Sequence, residues 1–133
     1  ENIEFHIDIP SDLTIISDRN RLQVIIGNLI SNAVRYHDSR KREQYIRLCY
    51  HVSGGVFCIK VEDNGQGIDR GYHSKLFDMF YRANEKSKGS GLGLYIVKEA
   101  LMKLSGSIQL DATRGLGTTI TIKLPATASL ARA

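Results

Sequence analysis

Three short stretches carry side chains and backbone suited to one kind of chemistry. Asn28, Asn32 and Arg35 recur at i, i+4 and i+7 within "NLISNAVR". At about 100° per residue they form one strip along a helix. Amide oxygens are hard ligands that can complete the octahedron of Mg²⁺, an ion that keeps several waters and shares phosphate oxygens. A guanidinium beside them can offset phosphate charge. The same strip equally suits a polar flank facing water. Asp63 opens "DNGQG" at the end of an apolar alternation. An ionised carboxylate only accepts hydrogen bonds, so it can read an exocyclic amine such as that of adenine. Gly65 and Gly67 would let backbone approach a flat base closely. An Asx-turn between strand and helix uses the same residue types. Finally, Gly89, Gly91 and Gly93 alternate in "KGSGLGLYIV" just before a helical period begins. Free N–H groups at a helix start can hold phosphate, and such glycines can also simply end a flexible loop.

The elements that must position these residues follow from periodicity. "NIEFHIDIP" alternates Ile3, Phe5, Ile7 and Ile9 with polar residues and reads as a half-buried strand stopped by Pro10. "LTII" fits a short edge strand. Leu22, Ile25, Ile26, Leu29, Ile30, Ala33 and Val34 give an amphipathic helix, with Ser17 or Asp18 as its N-cap. "YIRLCYHV" and "VFCIKVE" form a hairpin around Ser53-Gly54-Gly55. Pairing Val52 with Gly55 sets Leu48 opposite Ile59 and Cys49 opposite Cys58. It also puts Ile46, Leu48 and Tyr50 on one face with Phe57, Ile59 and Val61. A short helix covers "YHSKLFDMF", and residues 82–89 read as a mobile loop. Leu92, Ile96, Val97, Ala100, Leu101 and Leu104 carry a helix ending near Gly106. Two last strands flank "TRGLG". This order predicts a two-layer α/β sandwich: a mixed, mostly antiparallel sheet of about five strands covered on one face by three helices. The alternation of a doubly wound nucleotide fold is missing, as is the Gly-Lys-Ser/Thr of a P-loop.

Bulk properties narrow the class. The 133 residues suffice for one core, and 42% hydrophobic with 24% charged residues is ordinary for a soluble domain. There is no apolar run of membrane-spanning length and no leader pattern. The net charge of +4 has its densest cluster at Arg40-Lys41-Arg42, read as a solvated turn. No basic stripe with interleaved aromatics points to nucleic acid. Cys49 and Cys58 lack metal spacing and read as free thiols in a reducing, cytoplasmic setting. A first residue other than Met suggests a piece of a longer chain.

Taken together the stretches are far more specific than singly. "NLISNAVRYH" resembles the asparagine box of the catalytic ATP-binding domain of sensor histidine kinases. "VEDNGQGI" resembles its first glycine box, "LFDMFYR" its phenylalanine box, and "GSGLGLYIV" and "GLGTTITIKLP" its second and third glycine boxes. The resemblance covers Ile3 to Pro125 and extends to the superfamily of gyrase, heat-shock ATPase chaperones and MutL repair proteins. It implies a Bergerat-type domain over residues 1–125 with a mobile ATP lid, and a disordered tail over 126–133.

The resemblance implies ATP and Mg²⁺ as cofactors. Asn32 stands where the family binds Mg²⁺, with Asn28 supporting, and Arg35 where a cation touches phosphate. Tyr36 corresponds to an aromatic lining the adenine pocket. Asp63 corresponds to the adenine-reading carboxylate, with Gly65, Gly67 and Ile68 shaping the pocket. Phe77 and Phe80 correspond to lid anchors, and Arg82 to a group near the γ-phosphate or partner domain. Lys88 is placed to close toward phosphate. Gly89, Gly91, Leu92, Gly93 and Leu94 correspond to the phosphate-side loop, and Thr118 lies beside the base. Hydrolytic relatives carry a Glu where this chain has Asn28. An amide is a poor proton acceptor, which favours phosphoryl transfer over hydrolysis. The resemblance implies that the acceptor is a histidine on a separate dimerisation and phosphoacceptor domain, which would precede Glu1. His37-Asp38 only superficially matches such an acceptor, since it closes the asparagine helix itself. The resemblance further implies a response-regulator receiver domain as indirect partner, a monomeric state for this piece and a cytoplasmic location. Rivals are a serine kinase of the anti-sigma type, a mitochondrial-type dehydrogenase kinase and a nucleotide-gated interaction module without transfer.

Overall fold

The computed structural model describes residues 3–8, 19–68 and 93–125. The elements run β1 (Glu4–Asp8), α1 (Arg19–Arg35), β2 (Tyr45–Ser53), β3 (Val56–Asp63), α2 (Gly93–Lys103), β4 (Ser107–Thr113) and β5 (Gly117–Pro125). The strands form one mixed sheet in the order β1-β2-β3-β5-β4. Only β1 and β2 are parallel; the other pairs are antiparallel. The α/β class expected from the sequence holds. Of the three expected helices, two lie among the described residues. "LTII", the caps at Ser17 and Asp18, "YHSKLFDMF" and the tail lie outside them.

Strand alternation and helix period converge on a single core. Ile46 and Leu48 of β2, Phe57, Ile59 and Val61 of β3, and Ile120, Ile122 and Leu124 of β5 are buried on one sheet face. Ile25, Leu29 and Ala33 of α1 and Leu94, Val97 and Leu101 of α2 cover that face. Ile25, Ile59, Val97 and Ile122 are wholly inaccessible to water. Each buried aliphatic of this size contributes about 1.5–3 kcal/mol to holding the layers together. α2 stops in a Schellman motif: Gly106 N–H donates to Leu101 O at 2.8 Å and Ser105 N–H to Met102 O at 3.2 Å. Ser105 takes the left-handed position at φ 56°.

Three expectations change. The hairpin register is displaced by two residues: Ser53 pairs with Val56, Tyr50 with Ile59 and Leu48 with Val61. The loop is therefore Gly54-Gly55, both at positive φ (57° and 76°). Two left-handed central residues match the strand twist, and glycine supplies both without penalty, whereas Ser53-Gly54 would not. A two-residue displacement preserves the faces, so the core match survives. It moves Cys49 opposite Lys60 and Cys58 opposite His51, so the thiols are not a facing pair; both are free. The second change is at β1. Phe5 and Ile7 pair with Ile46 and Leu48 on the core face, yet are 56% and 67% exposed. This strand sits at the edge of the sheet. The third is in α2, where Leu94 joins the core and Ile96 is exposed. Leu94, Val97 and Leu101 keep the i, i+3, i+7 spacing.

Candidate functional site

Asp63 is the last residue of β3 on the core face. Period two continues the row Phe57, Ile59, Val61 to Asp63, and the register sets it opposite Thr118 of β5 and Ile46 of β2. A carboxylate thus ends an apolar row at a strand terminus, with buried Thr118 and Ala112 beside it. Its Oδ1 accepts from Gly65 N–H at 2.8 Å, and Thr118 supplies a second backbone hydrogen bond. Burial pushes the carboxyl up to about 6, while those two bonds and the charge of Lys41 pull it down. The Asx-turn expected as the bland alternative is therefore present. Yet it coexists with a desolvated acid, which a turn alone does not require.

The turn after Asp63 is pinned on several sides. Gln66 N–H donates to Tyr36 O at 2.9 Å, and Gly115 N–H donates to Gln66 O at 2.7 Å. The Gln66 amide donates to His37 O at 3.0 Å. Asn64 accepts from Tyr45 N–H at 2.9 Å and donates to Glu43 O at 2.8 Å. A Cβ on Gly65 would lie 2.5 Å from Tyr36 O. Gly67 has φ 69°, and a Cβ there would collide with the Thr113 carbonyl. Gly67→Ala is accordingly expected to destabilise the chain by about 2–3 kcal/mol. Urea unfolding checks this, and a loss below about 0.5 kcal/mol would show that the hairpin yields freely.

Of the expected site residues, Asn28, Asn32, Arg35 and Tyr36 lie half-buried on α1 and its exit. The Asn28 amide donates to Val24 O at 2.7 Å, which turns its oxygen outward. That oxygen lies 3.3 Å from where a Cβ on Gly93 would sit. The asparagine strip and the first residue of α2 are thus neighbours. Ile68 and Thr118 are buried beside the Asp63 turn. Leu94, expected at the phosphates, instead packs its side chain into the core, leaving its backbone N–H at the helix start. Arg82, Lys88, Gly89, Gly91 and Leu92 lie outside the described residues, as do Phe77 and Phe80. His37 and Asp38 are engaged locally: His37 Nδ1 lies 2.7 Å from Val34 O, and Asp38 receives Nε and Nη2 of Arg40 at 3.0 Å each. Those bonds hold the Asp38 carboxyl below its usual range. Sequence reasoning missed Lys41, Asn64 and Gln66 as ties of the turn. Among the described residues no cluster of three His, Cys, Asp or Glu could cage a metal. The hard amide oxygen of Asn28 beside Gly93 fits an ion that shares its shell with phosphates. No helix among the described residues is long and apolar enough to cross a membrane.

Residues 17–128 match the family described as histidine kinase-, DNA gyrase B- and HSP90-like ATPase. Over 130 residues the chain is 34% identical to sensor histidine kinase WalK of Bacillus subtilis strain 168, covering 94% of this chain and 21% of WalK. A mycobacterial sensor histidine kinase, MprB, superposes with TM-score 0.79 at 28% identity, covering 92% of this chain and 83% of that one. Full-length ShkA in complex with AMPPNP superposes with TM-score 0.82 at 26% identity, covering 97% of this chain and 27% of that one. The chain spans only 24% and 21% of the length of two sensor kinases of Bacillus subtilis that it matches. With its family match running from before α1 past β5, this chain belongs to the histidine kinase-, DNA gyrase B- and HSP90-like ATPase family.

Proposed function

We propose that the chain, over residues 1–125, is the ATP-binding catalytic part of a sensor histidine kinase and donates the γ-phosphate to a histidine on a separate domain. The observation that carries this reading is the meeting of Asn28, midway along α1, with Gly93, while Tyr36, just past the C-terminal end of that helix, meets Gly65. One helix so links a carboxylate-lined strand end, suited to a base, with a helix N-terminus, suited to phosphates. Asp63 accepts from the exocyclic amine of adenine, and Gly65 and Gly67 keep the turn low enough for a ring to lie against it. Gly93 and Leu94 would offer backbone N–H groups of the first turn of α2. Asn28 and Asn32 would hold Mg²⁺, with Arg35 beside the phosphates. The ion, when bound, neutralises charge on the transferring phosphoryl group. Asn28 holds a helical carbonyl with its N–H and presents only an amide oxygen, so it activates water poorly and leaves transfer to another nucleophile as the productive route. The dimerisation and phosphoacceptor domain is the direct partner and a receiver domain the indirect one.

Incubation of the chain with γ-labelled ATP and a separately supplied phosphoacceptor domain tests this. Label is expected on the acceptor's histidine and absent from the chain alone. Nucleotide binding without any transfer would instead favour an interaction module gated by nucleotide.

A further inference from the structure

The basic turn after α1 contains one side chain that does not behave as a solvated lysine. Lys41 is half-buried, and its ammonium donates to Asn64 O at 2.6 Å and to Gly65 O at 3.1 Å. Both acceptors are neutral carbonyls of consecutive residues, more than twenty positions along the chain. Bringing a strongly hydrated ammonium off bulk water toward two uncharged acceptors needs a compensating reason. Its neighbours Arg40 and Arg42 are exposed, and Arg40 is tied to Asp38. Of Arg40, Lys41 and Arg42, it is Lys41 that is seen to reach the turn that follows β3.

We infer that Lys41 is a positioning residue for the base end of the nucleotide site, holding the Asp63–Gly65 turn in register and setting a positive charge against it. The inference rests on the reading of Asp63 as the adenine-reading group. Geometry supplies the first half. The carbonyls of Asn64 and Gly65 point to one cation, and the N–H of Gly65 points back to Asp63 Oδ1 at 2.8 Å. Fixing those carbonyls fixes that N–H, and with it the carboxylate rotamer. Charge supplies the second half. Lys41 lowers the proton affinity of Asp63 against the opposing effects of burial and of Glu62. Among the described residues, other titratable or charged groups around this turn are Tyr36 and His37 at the exit of α1, Tyr45 on β2 and Arg114 on the β4–β5 turn. The adenine amine donates and needs an acceptor, so protonation of Asp63 removes its partner.

ADP titration calorimetry from pH 5 to 8 on the chain and its Lys41→Met, Lys41→Arg and Asp63→Asn variants tests the inference. ADP affinity of the unsubstituted chain is expected to fall on an acid limb at or below about pH 6. Lys41→Met weakens ADP binding about tenfold at pH 7.5. It also moves the limb upward by roughly half a pH unit or more, because loss of a positive neighbour favours the protonated acid. Lys41→Arg restores the limb. Asp63→Asn abolishes it, which assigns it to Asp63 rather than His37. If Lys41→Met does not fold, Lys41→Gln carries the same comparison. Wild-type affinity and an unmoved limb in Lys41→Met, with Asp63→Asn still weakened, overturn this inference alone. A loss that is uniform across pH and not rescued by Lys41→Arg makes Lys41 a staple of the fold and overturns it too. Unchanged ADP affinity in Asp63→Asn removes the base reading and this inference with it.

Discussion

Asp63→Asn is expected to strengthen the ligand-free fold at pH 8 while weakening ADP binding by about 1–3 kcal/mol, or roughly 5- to 150-fold. The two effects share one cause. Burial raises the carboxyl from 3.8 to about 6, so the folded chain binds this proton more tightly than the unfolded chain. Stability from this group is then greatest below about pH 4, declines as pH rises toward 6, and stays reduced above it. A rise of that size means that the ionised acid costs the fold about 2–3 kcal/mol at pH 8. Asparagine keeps an acceptor for Gly65 N–H and carries no charge. Urea midpoints for the two proteins should converge near pH 4 and separate at pH 8, with the variant the more stable. Equal midpoints at pH 8 would mean that the carboxylate is well solvated. A conserved ADP affinity would remove it from the base site.

Asn32→Ala is expected to abolish phosphoryl transfer, by at least about 100-fold, with helix content and unfolding midpoint unchanged. Asn32 is half-buried on the border of α1 and lies outside the buried row of Ile25, Leu29 and Ala33. Truncation opens no core cavity, and alanine is the best helix former. On the proposed function, the loss is an amide oxygen that would hold Mg²⁺. Radiolabel transfer to a supplied phosphoacceptor domain, with circular dichroism as folding control, measures it. Full transfer at ordinary Mg²⁺ would return the strip of Asn28, Asn32 and Arg35 to a solvated helix flank.

The parts of this domain visible in its sequence are those written in local periods and local turn chemistry. The stripe of α1, the alternation of β3 and β5, and the acid that terminates β3 need only neighbours within a few residues. Faces of the central hairpin were readable for the same reason. Its register was not, because the choice between Ser53-Gly54 and Gly54-Gly55 depends on which residues take positive φ. Phe5 and Ile7 alternate as a half-buried strand should, but burial depends on which element lies over the sheet edge, and that is a property of the packed chain. Lys41 was hidden among arginines in a run that reads as solvent-facing. Its acceptors are backbone carbonyls, which leave no trace in residue type. Gln66 and Asn64 were hidden likewise, since their partners are backbone groups of Tyr36, His37, Glu43 and Tyr45.

The Gly115–Gln66 hydrogen bond and the fit of Gly67 under Thr113 have a further consequence for how the chain acquires its pocket. The strand end of β3, the exit of α1 and the β4–β5 hairpin come from three distant parts of the sequence. Contacts of such separation form late, because loop closure must precede them. A chain still emerging from synthesis, with β5 not yet docked, therefore has no base pocket to fill. On the proposed function, nucleotide would recognise only the finished domain. Its binding free energy then adds to global unfolding rather than to one local opening, about 2.7 kcal/mol at a hundredfold excess over Kd. A protease that attacks the opened chain should be slowed by ADP at every cleavage site that requires global unfolding, including those in β4 on the sheet edge remote from β1.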